Sequence, residues 1–510
     1  MNIKLNFLKF VFVGLFLFIL IVLVHQIGKG KFMKENQILN VNITAINSSI
    51  SLNPIYSDNF VNQSYMSALV GTLVKRGAGG RYLPYLAQEW STDNFIVWKF
   101  KLRSDLTTEA GDRISTLKYK KSLETVIKLY YNNRPNLPII EDLKGFKEFI
   151  NDEVKHLSGI SANNDYLIFE FNKPINSGVL EFLSMPYYGF FSEQNFTDYG
   201  KWLNDFKIIS SGSHIVEGID IENKSITLKK RNGWFSLAEG SSDFIKITQL
   251  SYLESLKLPS PKIIGTNNYI DQKTLDQYNY DISVGVPEIL IALKLNCNSG
   301  FFSISKNRKL FLKKLRIAQN KIKLEGEGLL FSEYFYPFFE TKIETPELNL
   351  ESFDTKDFQS VTFEVPTSAS PKRPIYIKKV IEESFADSGV DIKFISPIPK
   401  SQIQTPQSDI IAIVVSIGGG FQHWLTKMMF CSDLGVGFSD PENRICNLVE
   451  KYDGLNWNIN EFAKDFNNIL HDQAATIPIY HTSFKWILDG VDAKLSPITV
   501  IPRFDLMKLK

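Results

Sequence analysis

"VTFEVPTSASPKRPIYIKKVIEESFADSGVDIKFISPIPKSQIQTPQSDIIAIVV", residues 361–415, changes its apolar pattern from one segment to the next. Residues 361–365 and 390–395 read as strands, and 409–415 is a continuous β-branched run of the kind a strand buried on both faces carries. Between the first two lies a helical pattern, 375–389, which Gly389 closes. Strand, helix, strand and buried strand in succession are the signature of a parallel sheet with crossover helices. The Ser/Pro-rich piece from Ile395 to Ser408 is the loop before the last strand.

Outward from this stretch the chain stays mixed α and β, without repeats. Residues 97–102 ("VWKFKL") alternate, with Trp98, Phe100 and Leu102 on one face, and 166–171 ("YLIFEF") do the same. Residues 116–131 place Tyr119, Leu123, Val126, Ile127 and Tyr130 on one helical stripe. A further helix starts at Asn458 with Glu461 as a capping box, and buries Phe462, Phe466, Ile469 and Leu470. Two α/β lobes are the simplest architecture, with the loop at Leu258–Lys262 as a candidate boundary.

Composition bounds the function. The chain has 510 residues, 44% of them hydrophobic, which suffices for two or three packed domains and excludes a disordered chain. Its 57 basic and 55 acidic residues leave a net charge of only +2, and no basic tail or Arg-dense helix stands out, so nucleic acid is not the expected partner. Aromatic residues make up 13%, including 39 Phe, which suits large cores first and a ring-lined ligand cleft second.

The N-terminus reads as an export signal: Lys4 and Lys9, an apolar run from Phe10 to Val24, then Lys29, Lys31 and Lys34. The run is short for a span, which needs about 20 residues. No small-x-small cleavage site follows it, so an uncleaved anchor over residues 7–24 is preferred to a cleaved signal. No cysteine near residues 20–30 offers a lipid tether. The three cysteines, Cys297, Cys431 and Cys446, allow at most one disulfide; Cys431 with Cys446 is the candidate pair, and three unbonded thiols are the alternative. The six histidines include none at i, i+4 spacing, so no metal site on a single helix is expected.

Five motifs, in order, carry a resemblance. Leu52-Asn53-Pro54, then Pro84-Tyr85-Leu86-Ala87 with Trp90, then Trp98 to Arg103 make up the first. "ITLKKRNGWF" (226–235), "LKLNCNSGFFSISKNRKLFLKKLRIAQNK" (293–321), "FSDPENRICNLVEK" (438–451) and "LHDQAATIPIYHTSFKWI" (470–487) follow. Over residues 38–510 the sequence resembles the substrate-binding proteins of bacterial ABC importers, in the oligopeptide- and dipeptide-binding group, solute-binding family 5. The resemblance implies a type II periplasmic-binding-protein-like fold of two lobes behind one N-terminal hydrophobic helix. The first lobe would comprise residues 37–256 and 475–510, with an inserted subdomain at about 60–185, and the second lobe residues 257–474. Residues 1–36 would be the signal or anchor with a linker. It also implies a ligand held between lobes that close by hinge motion, and no catalysis or cofactor.

The same resemblance locates the site. In the family a second-lobe strand runs into the cleft and ends near an aspartate that holds the α-amino group of a bound peptide. Here that segment reads "VVSIGGGFQHW", and the aspartate position falls at Ile417 or Gly418. A buried ammonium without a counter-charge costs several kcal/mol. Asp58 is the one evident substitute. The expected ligand-facing set is Asp58, Ser416, Ile417, Gly418, Gly419, Phe421, Trp424, Tyr480 and His481, with glycines opening the backbone to a ligand or merely serving a positive-φ loop. Trp424 and Phe421 stack on the ligand or join the core. His214 and Ile215 replace the usual Pro and aromatic of a turn, and Asn53 replaces an aspartate, so the inherited ligand class is open.

An enzyme needs a nucleophile with its base, a carboxylate pair or a metal set, and the chain has no G-x-S-x-G, H-E-x-x-H or glycine-rich phosphate loop. The expectation is therefore a monomeric, extracytoplasmic solute-binding protein at the outer face of the cytoplasmic membrane, taking a peptide-like or other small polar ligand to ABC permease subunits. The rival keeps the fold and drops the transport, as a membrane-tethered sensor or interaction module.

Overall fold

The computed structural model describes residues 38–43, 49–56, 60–77, 81–133, 139–175, 178–198, 200–266, 281–284, 289–323, 329–330, 335, 352–355, 358–364, 372–395, 408–416, 426, 430–431, 440–452, 459–492 and 503–510. The expected anchor, residues 7–24, lies outside them. Among the described residues no helix is long and apolar enough to cross a membrane.

With strands numbered in chain order, the first sheet holds β1 (Ile38–Ile43), β8 (His214–Asp220), β9 (Ser225–Lys230), β10 (Phe244–Thr248), β11 (Lys262–Thr266), β12 (Asp281–Val284) and β19 (Lys485–Asp489). Their order is β12-β19-β11-β1-β10-β9-β8. β1 runs parallel to both neighbours and is covered on both faces, burying Leu39, Val41 and Ile43 on one side and Asn40 and Asn42 on the other. Asn42 answers the demand on a buried amide by accepting from the Leu250 N–H at 2.8 Å.

The second sheet holds β13 (Ile289–Leu295), β14 (Leu329–Leu330), β15 (Ser360–Glu364), β16 (Asp391–Ile395), β17 (Ile410–Ser416) and β18 (Thr476–Thr482), in the order β14-β18-β13-β17-β15-β16. The expected parallel arrangement holds for β15 with β16 and β17; β13 is antiparallel to both β17 and β18. β13 and β18 are antiparallel because the chain enters the sheet along one and leaves along the other at the same edge. β13 alternates in its packing: Ile289, Ile291, Leu293 and Leu295 join a core with α4 (Ser305–Lys321) and α5 (Lys372–Phe385). Leu290 and Ala292 join another with α6 (Arg444–Tyr452) and α7 (Ile459–Gln473). A bulge leaves Ile479 of β18 without a partner residue on β13, next to Pro478, which has no N–H to give. Two side chains of α4 meet the carbonyls there: Gln319 Nε2 donates to Ile479 O at 2.9 Å and Arg316 Nη1 to Pro478 O at 2.8 Å.

An antiparallel sheet of β4 (Ala87–Thr92), β5 (Val97–Leu102), β7 (Tyr166–Glu170) and β6 (Ile160–Ala162) packs with α2 (Thr116–Asn133) in the stretch expected as an inserted subdomain. Tyr119, Leu123, Ile127 and Tyr130 of α2 enter its core, as the helical stripe predicts, whereas Val126 joins the core of the first sheet instead. The remaining elements used below are α1 (Phe60–Leu69), the hairpin of β2 (Val74–Arg76) and β3 (Tyr82–Pro84), α3 (Gly178–Phe182), and β20 (Val491–Asp492) paired with β21 (Lys508–Leu509). Cys431 and Cys446 form a disulfide with Cα atoms 5.5 Å apart; Cys297 is not part of it.

The sheets exchange later along the chain than the boundaries 256/257 and 474/475 place it. β11 and β12 belong to the first sheet, and β18 to the second. The Leu258–Lys262 loop is knitted into the first sheet: the Asn40 N–H donates to Pro261 O, Asn40 Nδ2 to Pro259 O, and Lys262 Nζ to the carbonyls of Leu256 and Leu258.

Candidate functional site

Two links join the sheets, and both meet the second sheet at one edge. Ile289, where β13 begins, pairs with Thr482, where β18 ends. Thr482 pairs onward with Leu329 and Ile289 with Ser416, so one rung reads Leu329, Thr482, Ile289, Ser416. Across the link, the first sheet presents the rung Thr266, Lys485, Val284. Only Ser483 and Phe484 separate β18 from β19.

This short link rests on bare backbone. Gly265 of β11 pairs with Trp486, and a Cβ at Gly265 would stand 2.6 Å from the Trp486 ring and 2.8 Å from Phe484. Glycine therefore lets the Phe484–Trp486 pair, with ring centroids 5.0 Å apart, lie against β11.

Of the sequence-predicted residues, Ser416 is the last residue of β17 and sits on the edge rung. Ile417, Gly418, Gly419, Phe421 and Trp424 follow it in the chain and lie outside the described residues, as does Asp58. Tyr480 and His481 are placed two and one positions inside the edge, and both are fully buried. They sit on opposite faces of β18. Tyr480 joins the α4/α5 side, edge to face with Tyr376 at 6.0 Å. His481 lies opposite Leu290 and places Nε2 3.2 Å from Phe335 O.

Sequence reasoning missed Met185. It follows α3 in the inserted subdomain and packs against that subdomain's core and also against the aromatic cluster of the second sheet, which includes Phe335, Phe430, Phe462 and Phe466. Among the described residues it is the side chain that joins those two clusters. Nothing in the local sequence marks it, because one methionine before "PYY" carries no periodic signal.

The reasoning also missed a buried ionic group beneath the first sheet. Arg503 binds Asp505 through two hydrogen bonds of 2.8 Å, Nε to Oδ1 and Nη2 to Oδ2. Lys75 of β2 lies nearby, donates to Ser67 O, and stands 4.5 Å from the centre of the Tyr85 ring. Trp234 Nε1 donates to the Tyr85 hydroxyl at 3.2 Å. Burial drives the Lys75 ammonium down to about 7, although Asp505 pulls it the other way. Burial likewise drives His214 down to about 4 and Tyr85 up to about 12. Asp505 stays below the ordinary carboxylate range: burial opposes its charge, and the Arg503 hydrogen bonds and charge, with Lys75, outweigh burial. The "R-x-D" at 503–505 is the only trace of this group in the sequence, and Lys75 reads there as a surface lysine.

No protein-family model and no curated protein matches the chain. Solved structures do. The murein tripeptide binding protein MppA of Escherichia coli superposes with a TM-score of 0.69 at 15% identity, covering 93% of this chain and 99% of that one. DppA from Helicobacter pylori in complex with the peptide STSA gives 0.69 at 16% identity, over 92% and 98%. NikA from Brucella suis in complex with Fe(III)-EDTA gives 0.69 at 14% identity, over 92% and 100%. The chain thus has the two-lobed α/β periplasmic-binding-protein fold.

Proposed function

We propose that the protein captures a peptide-like or other small polar ligand between its two lobes, outside the cytoplasmic membrane, and presents it to the permease of an ABC importer. The observation that carries the reading is the edge rung: Ser416, the last residue before the glycine-bearing sequence, lies on one rung with Ile289 and Thr482, where both links meet the second sheet. Likeness to binding proteins over more than nine-tenths of the chain supports it; one of these holds a peptide and another a metal chelate. In this reading Ser416, Ile417, Gly418, Gly419, Phe421 and Trp424 form the second-lobe wall of the cleft. Asp58 supplies the negative charge opposite, and Tyr480 and His481 buttress the wall from behind. The first lobe takes the residues up to β12 and those from β19 onward, and the second lobe those from β13 to β18. The chain works as a monomer that binds and does not catalyse, held at the membrane by residues 7–24.

Native mass spectrometry of the purified protein, followed by a thermal-shift screen of peptides, sugars and metal chelates, tests this. A co-purified small molecule, or a compound that raises the melting temperature by several degrees, supports capture and gives the ligand class. A protein that is empty as purified and that no compound stabilises, even after unfolding and refolding, refutes it in favour of the sensor.

A further inference from the structure

Met185 is held in a preset position. Its N–H donates to Phe182 O at 3.2 Å, its carbonyl accepts from the Tyr188 N–H at 3.0 Å, and the Tyr187 hydroxyl donates to its sulfur. The turn that carries it stands on packed rings: Phe182 and Tyr188 lie 4.0 Å apart between centroids, and Tyr130 and Tyr187 lie 5.3 Å apart. The thioether is half-buried, with the inserted subdomain's core on one side. On its other side is the second lobe's cluster, in which Phe335 and Phe430 are 5.9 Å apart and Phe430 and Phe466 5.5 Å apart. Sulfur over aromatic edges is a favourable and adaptable contact.

The two faces of the second sheet are therefore tied to the rest of the molecule in different ways. On the α4/α5 face one continuous core runs from the first sheet, through Trp486 and Tyr480, to Ile291 and Phe311. On the α6/α7 face the tie among the described residues is Met185. A rotation of the lobes about the short link at Ser483–Phe484 leaves the first tie intact and must break the second.

We propose that Met185 is a latch: an apolar side chain of the inserted subdomain that seats in the aromatic cluster of the second lobe and holds the lobes together, and that must unseat before a ligand enters or leaves. The inference rests on the capture reading and makes Met185 a positioning residue for it. The apolar cluster meets Met185 in the seated arrangement, and an acidic group there would be desolvated without a partner.

The test uses the full chain without added ligand, spin-labelled through unnatural amino acids at the exposed positions Glu148 and Glu450, with distances read by pulsed electron resonance. Met185→Asp is expected to shift the distribution to longer distances, and Met185→Leu to leave it as in the wild type. An unchanged distribution in Met185→Asp overturns the latch, as does a shift in Met185→Leu as large as that in Met185→Asp. If Met185→Asp loses its far-UV circular dichroism, Met185→Ala takes its place, with a smaller shift to longer distances expected and no shift overturning the proposal. Because no ligand enters this measurement, its failure is distinct from failure of the capture reading, which native mass spectrometry decides.

Discussion

Replacing Lys75 by methionine is expected to stabilise the protein and to flatten its dependence on pH. Lys75 is 5% exposed, and burial lowers its pKa from 10.5 to about 7. Between these values the unfolded chain binds one more proton than the folded one, so stability rises with pH across the window. It is lost as pH falls toward 7, and below 7 this group adds no further change. At ~1.4 kcal/mol per unit the whole window amounts to about 5 kcal/mol, and the part from pH 7 to ~9.5 to about 3 kcal/mol. Methionine keeps most of the side-chain volume, removes the desolvated charge, and forfeits the hydrogen bond to Ser67 O, which contributes about 1 kcal/mol. The Arg503–Asp505 pair stays closed by its own two hydrogen bonds. Lys75→Met should therefore exceed the wild type by about 3 kcal/mol at pH 7 and be within about 0.5 kcal/mol of it at pH ~9.5. Urea titrations at the two pH values, followed by tryptophan fluorescence, measure the difference. A gap that does not change with pH, or a variant less stable at pH 7, would mean that Asp505 compensates the ammonium more than burial penalises it.

His214 works at acid pH by the same rule. Burial lowers it from 6.5 to about 4, so its contribution is complete above 6.5 and is lost as pH falls to 4, about 3 kcal/mol in all. His214→Gln should abolish that part of the acid sensitivity in melting curves recorded at pH 7 and ~4.5. The Cys431–Cys446 disulfide closes a loop across a separation of 15 residues. Cys431→Ser with Cys446→Ser should cost about 3 kcal/mol in urea titrations, with faster hydrogen exchange confined to the second lobe; equal stability of the two proteins would contradict this. Gly265→Ala brings a methyl group within 2.6 Å of the Trp486 ring and should cost about 1–3 kcal/mol, with a changed Trp486 emission. A neutral result would show that the Phe484–Trp486 pair can lift off β11.

How much was legible in the sequence depended on the range of the interaction. Period-2 and period-3.6 patterns are local, so β5, α2, β15, α5 and β17 could be read from side chains a few residues apart. Loop composition proved a poor guide to the exchange of lobes. Leu258–Lys262 is rich in Ser and Pro, yet its carbonyls serve Asn40 and Lys262 of the first sheet. Hydrogen bonds between residues more than two hundred positions apart have no local signature. Burial of Tyr480 and His481 was hidden for a similar reason. A strand between β14 and β13, capped by helices on both faces, buries every position, whereas its sequence "TIPIYHT" offers polar side chains that suggest a cleft. Lys75 and Met185 were invisible because their partners arrive from residues 503–505 and from the second lobe.

Ser416, where β17 ends, shares one rung with Ile289 and Thr482, where the two links meet the second sheet, and under the capture reading that constrains how a ligand wall would move. A ligand wall attached far from the hinge would sweep a long arc when the lobes rotate. A wall attached beside Thr482 and Ile289 moves little at its root and turns mainly about it. Met185, as the proposed latch, supplies the opposite requirement: a contact on the α6/α7 face, outside the core that continues from the first sheet. With Met185 as the proposed latch, a hinge at the rung and a contact that rotation must break would give two discrete arrangements and no continuum, which is the condition for a binding protein to signal occupancy by shape.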